Sequence, residues 1–324
     1  MIKRERFPLS SILYYRIGGT ARFLLEASTR DDVFEALDFV RANGIPRLVV
    51  VGLGSNLLFP DGPFDGAVLR IGSGGQRQVR EVEEGLVEAF AGEGLDDVVR
   101  FGLARGYAGL EWAGGLPGTV GAAVRGNVGA FGGELKDVLD TAEVLDTDER
   151  SRTTRSLSNS ELGFSYRGSV VKQSRKLVVL SATFRLRRVA GDELDRAEQT
   201  YRSNIEYRAK NHPMEYPNCG SVFKNVEKRE QVEAVLAAWP DVKGLVESRW
   251  HGKVSIGYAV NRLGLVGYQV GGAQISPKHG NFIVNLGNAS FSDVSAVVER
   301  VKQECFETFG FAPEVEVEIV SPSP

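Results

Sequence analysis

The chain has 324 residues, of which 42% are hydrophobic and 25% are charged, and its formal net charge is −3. This length is more than one ordinary core organises, so we expect a globular protein of two or three domains. The nearly balanced charge excludes a global field that would favour nucleic acid or a membrane surface, although local basic grooves for an acidic substrate are compatible with it.

Targeting segments, disulfides and metal sites are not expected either. No apolar run approaches the roughly 18 residues of a membrane span, and the basic N-terminal segment lacks the apolar core of a signal peptide. The two cysteines, Cys219 and Cys305, favour a reducing cytoplasm over disulfide stapling. The histidines lack paired ligand spacing, so no metal site is predicted.

A β-α-β unit is predicted near residues 20–72. Residues 21–27 are apolar or alternating enough for a strand. Residues 28–44 begin with Ser-Thr and acidic side chains and end in Asn-Gly, which predicts a capped amphipathic helix. Residues 48–51, Leu-Val-Val-Val, predict a buried strand. Together these elements indicate a small α/β lobe.

The strand at 48–51 leads into a glycine turn at residues 52–56, which has part of a dinucleotide-binding fingerprint. The third glycine of that fingerprint is absent, because Leu57 stands in its place. We therefore interpret the turn as one whose amides, with Ser55 or Asn56, contact a phosphate. An ordinary strand-end turn is the alternative.

The remaining elements follow from hydrophobic periodicity, capping residues and turn signals. The character of the chain changes after residue 224, and we place the main domain boundary near residues 190–200. In chain order the pattern predicts strand material at 78–90, a helix at 95–106, strands at 142–145 and 176–187, a polar helix at 191–207, helices at 227–238 and 258–264, a strand at 280–285, a helix at 291–309 and a strand at 315–320.

The most unusual stretch runs from Glu111 to Leu135 and holds eight glycines. Glycine permits positive φ and leaves no Cβ between its amide and a ligand, and Pro117 fixes a turn among these glycines. Thr119 or Asn127 can cap or bridge that turn. Loops with free amides suit an anion such as a phosphate or pyrophosphate. A structural crossover that binds nothing is the alternative.

Seven segments of the chain carry a resemblance through their order and spacing. They are RIGGTA (16–21), VGLGSN (51–56), AGGLPGTVGAAVRGNVGAFGGEL (113–135), SYRGS (165–169), CGSVFKN (219–225), GGAQISPKHGNFIVN (271–285) and Gly310–Val317. Together they resemble the UDP-N-acetylenolpyruvoylglucosamine reductases, the MurB family of peptidoglycan synthesis.

The resemblance implies an α+β protein with an FAD-binding region of the vanillyl-alcohol-oxidase (PCMH) type. Two α/β lobes, 1–75 and 76–195, would form that region, and 196–324 would form a C-terminal α+β substrate domain. About thirty residues near 226–257 exceed the usual connection of the family, and such an insertion is usually a functional loop or an added subdomain.

The resemblance also implies FAD as the cofactor and NADPH as its reductant, which agrees with the interpretation of both glycine turns. No histidine precedes His212, so histidyl attachment is not expected in the N-terminal lobe and FAD should be non-covalent. The residues expected to contact FAD are Gly52, Gly54, Ser55, Asn56, Gly114, Gly115, Pro117, Gly118, Thr119, Gly121, Asn127 and Gly129.

The implied reaction adds a hydride and a proton to the enolpyruvyl ether of a UDP-sugar. Negative charge then develops on the substrate carboxylate, and a cation is needed to stabilise it. An acid is also needed to protonate the α-carbon. The resemblance implies that Arg167 stabilises the substrate carboxylate and that Ser221 donates the proton. Glu316 would help to stabilise the enediol or orient the acid, and burial could keep it in its protonated form. Substrate contacts are expected from Tyr166, Lys224, Asn225, Gln274 and Lys278.

Ordinary structural roles are the alternatives for these residues. Arg167 could be a surface arginine and Ser221 a turn serine. Periodicity cannot choose among Glu314, Glu316 and Glu318, which alternate along one predicted strand, and the alternative is three solvated glutamates on an edge strand. The spacing of the family motif selects Glu316.

The predicted function is therefore NADPH-dependent reduction of UDP-N-acetylglucosamine enolpyruvate through FAD. This places the protein in peptidoglycan synthesis, cell-wall biogenesis, cell shape and division, as a cytoplasmic monomer. One alternative is another FAD oxidoreductase of the same fold with a different substrate, since a fold does not determine a reaction. A second alternative is a non-catalytic flavin- or sugar-nucleotide-binding protein.

Overall fold

A computed structural model describes residues 1–147, 153–174 and 176–321. The chain divides into two compact units. The N-terminal unit comprises Met1–Phe7, Ala21–Leu53 and Asp65–Lys210, and the C-terminal unit comprises Pro8–Thr20, Gly54–Phe64 and Asn211–Pro324. The three-part division at residues 75 and 195 stays a prediction.

The helices and strands are named in chain order. The helices are α1 (Arg30–Ala42), α2 (Leu95–Leu103), α3 (Val120–Gly126), α4 (Val170–Ser174), α5 (Asp192–Asn211), α6 (Arg229–Ala238), α7 (Lys243–Ser248), α8 (Ile256–Arg262) and α9 (Phe291–Phe309). The strands are β1 (Ile2–Pro8), β2 (Thr20–Ala27), β3 (Leu48–Val51), β4 (Leu57–Leu58), β5 (Phe64–Ile71), β6 (Val79–Glu83), β7 (Leu86–Phe90), β8 (Tyr107–Ala108), β9 (Gly129–Ala130), β10 (Gly133–Glu134), β11 (Leu139–Asp146), β12 (Thr154–Ser158), β13 (Leu177–Arg185), β14 (Arg187–Arg188), β15 (Gln269–Val270), β16 (Ala273–Ile275), β17 (Ile283–Asn285) and β18 (Glu318–Ile319). None of the helices in the described ranges is both long and apolar enough to cross a bilayer.

Two sheets organise the N-terminal unit. One has the strand order β1-β2-β5-β3, in which β3 runs parallel to β5. The other has the order β12-β11-β13-β7-β6 and is antiparallel. Side chains from both sheets and from α1 and α2 share one buried core, which includes Leu37, Leu69, Val98, Val144 and Phe184.

Helix α1 begins at a capping box, as its sequence predicts. The Thr29 hydroxyl accepts from the Asp32 amide at 3.1 Å, and the Asp32 carboxylate accepts from the Thr29 amide at 3.0 Å. Val33, Phe34 and Leu37 on the inner face are buried. The helix predicted within 28–44 is confirmed.

The strand material predicted at 78–90 forms two strands, a hairpin of β6 and β7. Gly85 lies between the two strands with φ of 75°, which glycine adopts without strain. Arg80 and Glu88 then face each other across the strands and form an ion pair at 2.9 Å. The alternation of side chains continues through both strands, so periodicity did not reveal the reversal of direction.

Helix α5 belongs to the N-terminal unit and extends four residues beyond the predicted end at 207. Most of its surface is polar. Its buried residues are Ala197, Asn204 and Arg208. Buried polar groups need hydrogen-bond partners, and Asn204 and Nε of Arg208 find theirs in the glycine-rich stretch described below.

The C-terminal unit has its own core around α9 and the antiparallel sheet β15-β16-β17. Helix α9 begins at a capping box of Ser290 and Asp293 and ends at Gly310, which has φ of 78°. Val297 and Val301 on its inner face are buried. The helix predicted at 291–309 is confirmed.

The segment 226–257, predicted to be an insertion, is ordered and helical. It contains α6, a 3₁₀ turn and α7. Val226 and Val254 close it at the base, since each amide donates to the carbonyl of the other, at 3.0 and 2.8 Å. Trp239 packs edge-on against Phe309 of α9, with ring centroids 4.7 Å apart. The segment therefore packs into the C-terminal core, and its being an insertion relative to the family stays a prediction.

The last two predicted strands are shorter than their apolar pattern suggested. The strand predicted at 280–285 begins only at Ile283, because the Phe282 amide donates to the His279 carbonyl at 3.0 Å and closes a turn. The strand predicted at 315–320 is reduced to β18, which pairs with β4. Val315 instead forms an isolated bridge with Phe223. The three glutamates consequently belong to two different pairings, not to one continuous strand.

Candidate active site

The glycine-rich stretch forms a loop followed by the short helix α3 in the N-terminal unit. Gly94 and Thr119 form an antiparallel bridge, beside which the Leu95 amide donates to the Gly118 carbonyl at 3.0 Å. In this pairing the amide of Thr119 points away from the partner strand. Within the described residues, neither the Gly118 nor the Thr119 amide donates to a protein acceptor. These consecutive donors are available to an anion.

The glycines of this region differ in how much space surrounds the position that a Cβ would occupy. A Cβ on Gly52 would lie 2.3 Å from Oγ1 of Thr119, and a Cβ on Gly114 would lie 2.8 Å from the ring of Tyr201. Gly118, in contrast, has no heavy atom of the described residues, apart from its chain neighbours, within 4 Å of where its Cβ would stand. Two of these glycines therefore let protein segments approach, whereas the third leaves room for a ligand.

Protein contacts fix the backbone between these positions. Gly115 has φ of 68°, and its amide donates to the Asp96 carboxylate at 2.8 Å. Pro117 lies between this anchor and α3, and the Gly121 amide in α3 donates to the Ala91 carbonyl at 2.8 Å. The loop is therefore shaped by the protein itself, which is the condition for a preformed anion site.

Asn127 joins the glycine-rich stretch to the segment that carries Arg167. It is fully buried in the left-handed conformation, with φ of 41°. Its Nδ2 donates to the Glu134 carboxylate at 2.9 Å and to the Ser165 carbonyl at 3.0 Å, and its Oδ1 accepts from the Lys136 amide at 3.0 Å. The side chain thus links protein segments, and its predicted contact with a cofactor stays a prediction.

Tyr166 and Arg167 lie at the tip of a tight turn closed by two reciprocal backbone hydrogen bonds of 3.1 Å. Arg167 has φ of 56°, which costs a non-glycine residue about 1–2 kcal/mol. Its Nη2 donates to the Gly129 carbonyl at 2.9 Å, and Nζ of Lys172 donates to its carbonyl at 2.9 Å. These contacts hold a strained arginine in one orientation, and such strain is frequent at functional sites.

The turn predicted to contact a phosphate, residues 52–56, contributes to both units. Gly54 has φ of 66°, and Ser55 beside it is half-buried. Nδ2 of Asn56 donates to the Glu316 carbonyl at 3.4 Å. Within the C-terminal unit this turn is therefore attached to the segment that carries the predicted glutamate.

Ser221 and Glu316 are neighbours in the C-terminal unit. The Glu316 amide donates to the Val222 carbonyl at 2.8 Å, and Phe223 forms a β-bridge with Val315. Glu316 consequently lies opposite the residue that follows Ser221. The structure thus brings together two residues that are 95 positions apart in the chain (316 − 221).

The environments of the neighbouring glutamates differ. The Glu314 side chain is 64% exposed and forms an ion pair with Lys224. Glu316 is half-buried. Cys219, two residues before Ser221, is fully buried, and burial raises the pKa of its thiol well above the usual range. The selection of Glu316 and Ser221 as functional residues stays a prediction.

The other residues predicted to bind substrate have protein partners. Oδ1 of Asn225 accepts a hydrogen bond from the Ile256 amide, at the start of α8, at 3.3 Å. Gln274 donates to the Gln269 side chain at 3.3 Å, and Lys278 forms an ion pair with Glu215 at 2.9 Å. Exposed pairs of this kind are weak enough for a ligand to replace. Their contacts with substrate stay predictions.

Two residues beside these sites were not found by sequence reasoning. Lys172 lies three residues beyond the matching segment SYRGS, and no pattern connected it with Arg167. Arg208 lies near the end of α5, in a helix marked only by its polarity. The hydrogen bond of Arg208 to the Gly114 carbonyl, at 3.0 Å, depends on the fold.

Comparison with known proteins decides the family. Residues 21–155 match an FAD binding domain, and residues 212–320 match the C-terminal domain of UDP-N-acetylenolpyruvoylglucosamine reductase. The chain is 36% identical to the UDP-N-acetylenolpyruvoylglucosamine reductase of Caldicellulosiruptor saccharolyticus, over 97% of this chain and 90% of that protein. The chain belongs to the UDP-N-acetylenolpyruvoylglucosamine reductase family.

Other family members match with similar coverage. The UDP-N-acetylenolpyruvoylglucosamine reductase of Synechococcus sp. strain WH7803 is 35% identical over 98% of this chain and 92% of its own length. The crystal structure of MurB from Thermus caldophilus is 29% identical, has a TM-score of 0.74, and is matched over 99% of this chain and 100% of that one. The predicted fold class, a PCMH-type FAD-binding domain followed by the C-terminal domain of this family, is confirmed.

The donors of the N-terminal unit fit the FAD that the matched domain implies. FAD carries a pyrophosphate. Two consecutive amides without an acceptor among the described residues, beside a glycine with open space, suit such a group. The loop is held by Asp96 and Ala91, so little ordering would accompany binding.

Proposed function

We propose that the chain reduces UDP-N-acetylglucosamine enolpyruvate to UDP-N-acetylmuramate in peptidoglycan precursor synthesis, with non-covalent FAD and with NADPH as the reductant. The observation that carries this proposal is the similarity to reductases of this name along nearly the whole chain. In the net reaction NADPH gives up a hydride and becomes NADP⁺, while the carbon–carbon double bond of the substrate gains a hydride and a proton.

FAD, when bound, supplies the hydride that adds to the double bond. The free amides of Gly118 and Thr119 would bind its pyrophosphate. The other residues proposed to line the cofactor are Gly52, Gly54, Ser55, Asn56, Gly114, Gly115, Pro117, Gly121, Asn127 and Gly129.

Arg167 is proposed to bind the substrate carboxylate. Negative charge accumulates there as the hydride adds to the β-carbon, so a cation at this place stabilises the transition state more than the ground state. A guanidinium keeps its charge and offers bidentate donors. The contacts to Gly129 and Lys172 support this role, because a preorganised cation does not need to reorient during the reaction.

Ser221 is proposed to give its hydroxyl proton to the α-carbon. A serine hydroxyl is a weak acid, so the alkoxide left behind needs support from a neighbouring group. Glu316, opposite Val222, is proposed to supply that support as a protonated acid or to stabilise the enediol. Tyr166, Lys224, Asn225, Gln274 and Lys278 are proposed to contact the sugar nucleotide.

The function is tested by product analysis. The purified protein should contain one FAD, released unmodified by heat or acid, and should oxidise NADPH rapidly only when the enolpyruvyl substrate is present. Mass spectrometry should show UDP-N-acetylmuramate in amounts equal to the NADPH consumed. NADPH oxidation that depends on oxygen and not on this substrate would instead indicate a different oxidoreductase, and a protein without flavin would indicate a non-catalytic role.

A further inference from the structure

Arg208 is a buried cation that lacks a charged partner. Arg208 is only 8% exposed, and its Nη2 has no hydrogen-bond partner in the described part of the chain. No carboxylate within residues 1–147, 153–174 and 176–321 forms an ion pair with it. Burial lowers the pKa of Arg208 to about 10, so the guanidinium still carries its charge at neutral pH.

Such an arrangement is costly for the protein alone. Removing a charged group from water without an opposite charge is strongly unfavourable, and buried charges in proteins are normally paired. The guanidinium lies 4.9 Å from the centroid of the Phe131 ring, a contact that replaces only part of the lost hydration. A buried donor left without an acceptor is therefore a candidate for ligand binding.

The hydrogen bond made by Nε of Arg208 shows that the guanidinium, and with it Nη2, lies beside the glycine-rich loop. Nε donates to the Gly114 carbonyl at 3.0 Å, and the Arg208 Cδ lies 3.6 Å from the position of a Cβ on Gly115. One turn earlier in α5, Nδ2 of Asn204 donates to the Glu111 carbonyl at 3.1 Å. Helix α5 thus holds the loop through two side chains, but only one of them is charged.

We propose that Nη2 of Arg208 binds an oxygen of FAD, so that Arg208 is a cofactor-binding residue. This inference rests on the proposed binding of FAD at the glycine-rich loop. Two kinds of oxygen have the required chemistry, namely those of the pyrophosphate and the carbonyl of the flavin pyrimidine ring. The pyrophosphate keeps its charge when the flavin is reduced, whereas the pyrimidine ring gains negative charge, so the two sources can be distinguished by measurement.

The test uses Arg208→Met, which keeps the length of the side chain and removes its charge. Without FAD, this variant should melt at the same temperature as the wild-type protein or higher, because an unpaired buried charge is gone. Its Kd for oxidised FAD, measured by quenching of flavin fluorescence, should rise about tenfold to a hundredfold, as expected for the loss of a hydrogen bond between charged groups.

The midpoint potential separates the two oxygens. If Arg208 binds the pyrophosphate, the affinities for oxidised and reduced FAD fall equally and the potential is unchanged. If it binds the pyrimidine ring, reduced FAD loses more affinity, and each additional tenfold loss lowers the two-electron potential by about 30 mV.

Asn204→Ala is the matched control. It removes the neutral bond from α5 to Glu111 and leaves the cation, so its apoprotein should melt at a lower temperature while its Kd for FAD changes less than that of Arg208→Met. The proposal is overturned if Arg208→Met binds FAD as the wild type does with an unchanged potential, or if it only lowers the apoprotein melting temperature as the control does.

If Arg208→Met fails to fold, Arg208→Gln decides by the same measurements, because its amide can still donate to the Gly114 carbonyl but carries no charge. Loss of FAD affinity supports the proposal, and affinity equal to that of the wild type overturns it. A wild-type protein that binds no FAD would refute the proposed function itself, which is a separate outcome.

Discussion

The glycine-rich loop of the N-terminal unit and the Ser221–Glu316 pairing of the C-terminal unit would handle charge in different ways under the proposed function. The loop offers main-chain amides, and the absence of side chains at Gly52 and Gly118 shapes it. The pairing brings the Ser221 hydroxyl and the Glu316 carboxyl group onto adjoining segments, because a backbone hydrogen bond sets Glu316 opposite Val222, the residue after Ser221. The proposed role of the loop therefore requires small residues that leave room for a ligand, whereas that of the pairing requires particular functional groups. The two should respond differently to substitution.

The largest expected effect is that of Ser221→Ala. Removing the proposed acid should slow reoxidation of the NADPH-reduced protein by substrate about 10²–10⁴-fold, the usual contribution of a general acid. Reduction by NADPH should stay near the wild-type rate, since it needs no proton from Ser221. Anaerobic stopped-flow absorbance measures both steps. An equal loss in both steps would show that Ser221 has a structural or binding role.

A second contrast lies within the C-terminal unit. Glu316→Gln should slow reoxidation by substrate about 10²-fold, because an amide cannot give or take the proton of a carboxylic acid. Glu314→Gln changes an exposed ion pair with Lys224 and should alter the same rate by less than about threefold. The reverse order of effects would assign the function to Glu314 and contradict the selection made from family spacing.

The smallest expected effects concern the glycines, and they separate stability from binding. Gly52→Ala places a Cβ against Thr119 and should lower the free energy of unfolding of the apoprotein by about 1–3 kcal/mol. In Gly118→Ala the new Cβ has no neighbour within 4 Å among the described residues beyond those adjoining it in the chain, so apoprotein stability should be nearly unchanged while FAD binding weakens. Denaturant unfolding and FAD titration of both variants measure this. A Gly118→Ala protein that binds FAD normally would place the cofactor elsewhere.

Local features of the fold could be predicted from the sequence. The capping boxes at Thr29 and Ser290 are formed by residues three positions apart, so helices α1 and α9 were predictable. The glycine-rich stretch was recognisable because positive φ angles and close backbone approach require glycine itself, so the requirement is visible in the composition. The hairpin at Gly85 was missed, since the alternation of side chains does not change when a chain reverses direction.

Features made by distant residues could not be predicted in the same way. The pairing of Glu316 with Val222 replaces a continuous final strand, and no local pattern around 314–318 contains that information. Arg208 has an unremarkable position in a polar helix, and the role proposed for it rests on burial and on Nη2 lacking a partner among the residues that the structure describes. Such properties exist only after the chain has folded.

The most direct test of the central claim is a single turnover without oxygen. Protein bleached by one equivalent of NADPH is mixed with UDP-N-acetylglucosamine enolpyruvate, and flavin absorbance and product are followed together. We predict full return of the oxidised flavin spectrum with one equivalent of UDP-N-acetylmuramate formed. A spectrum that stays bleached until air is admitted, with the substrate recovered unchanged, would contradict the account.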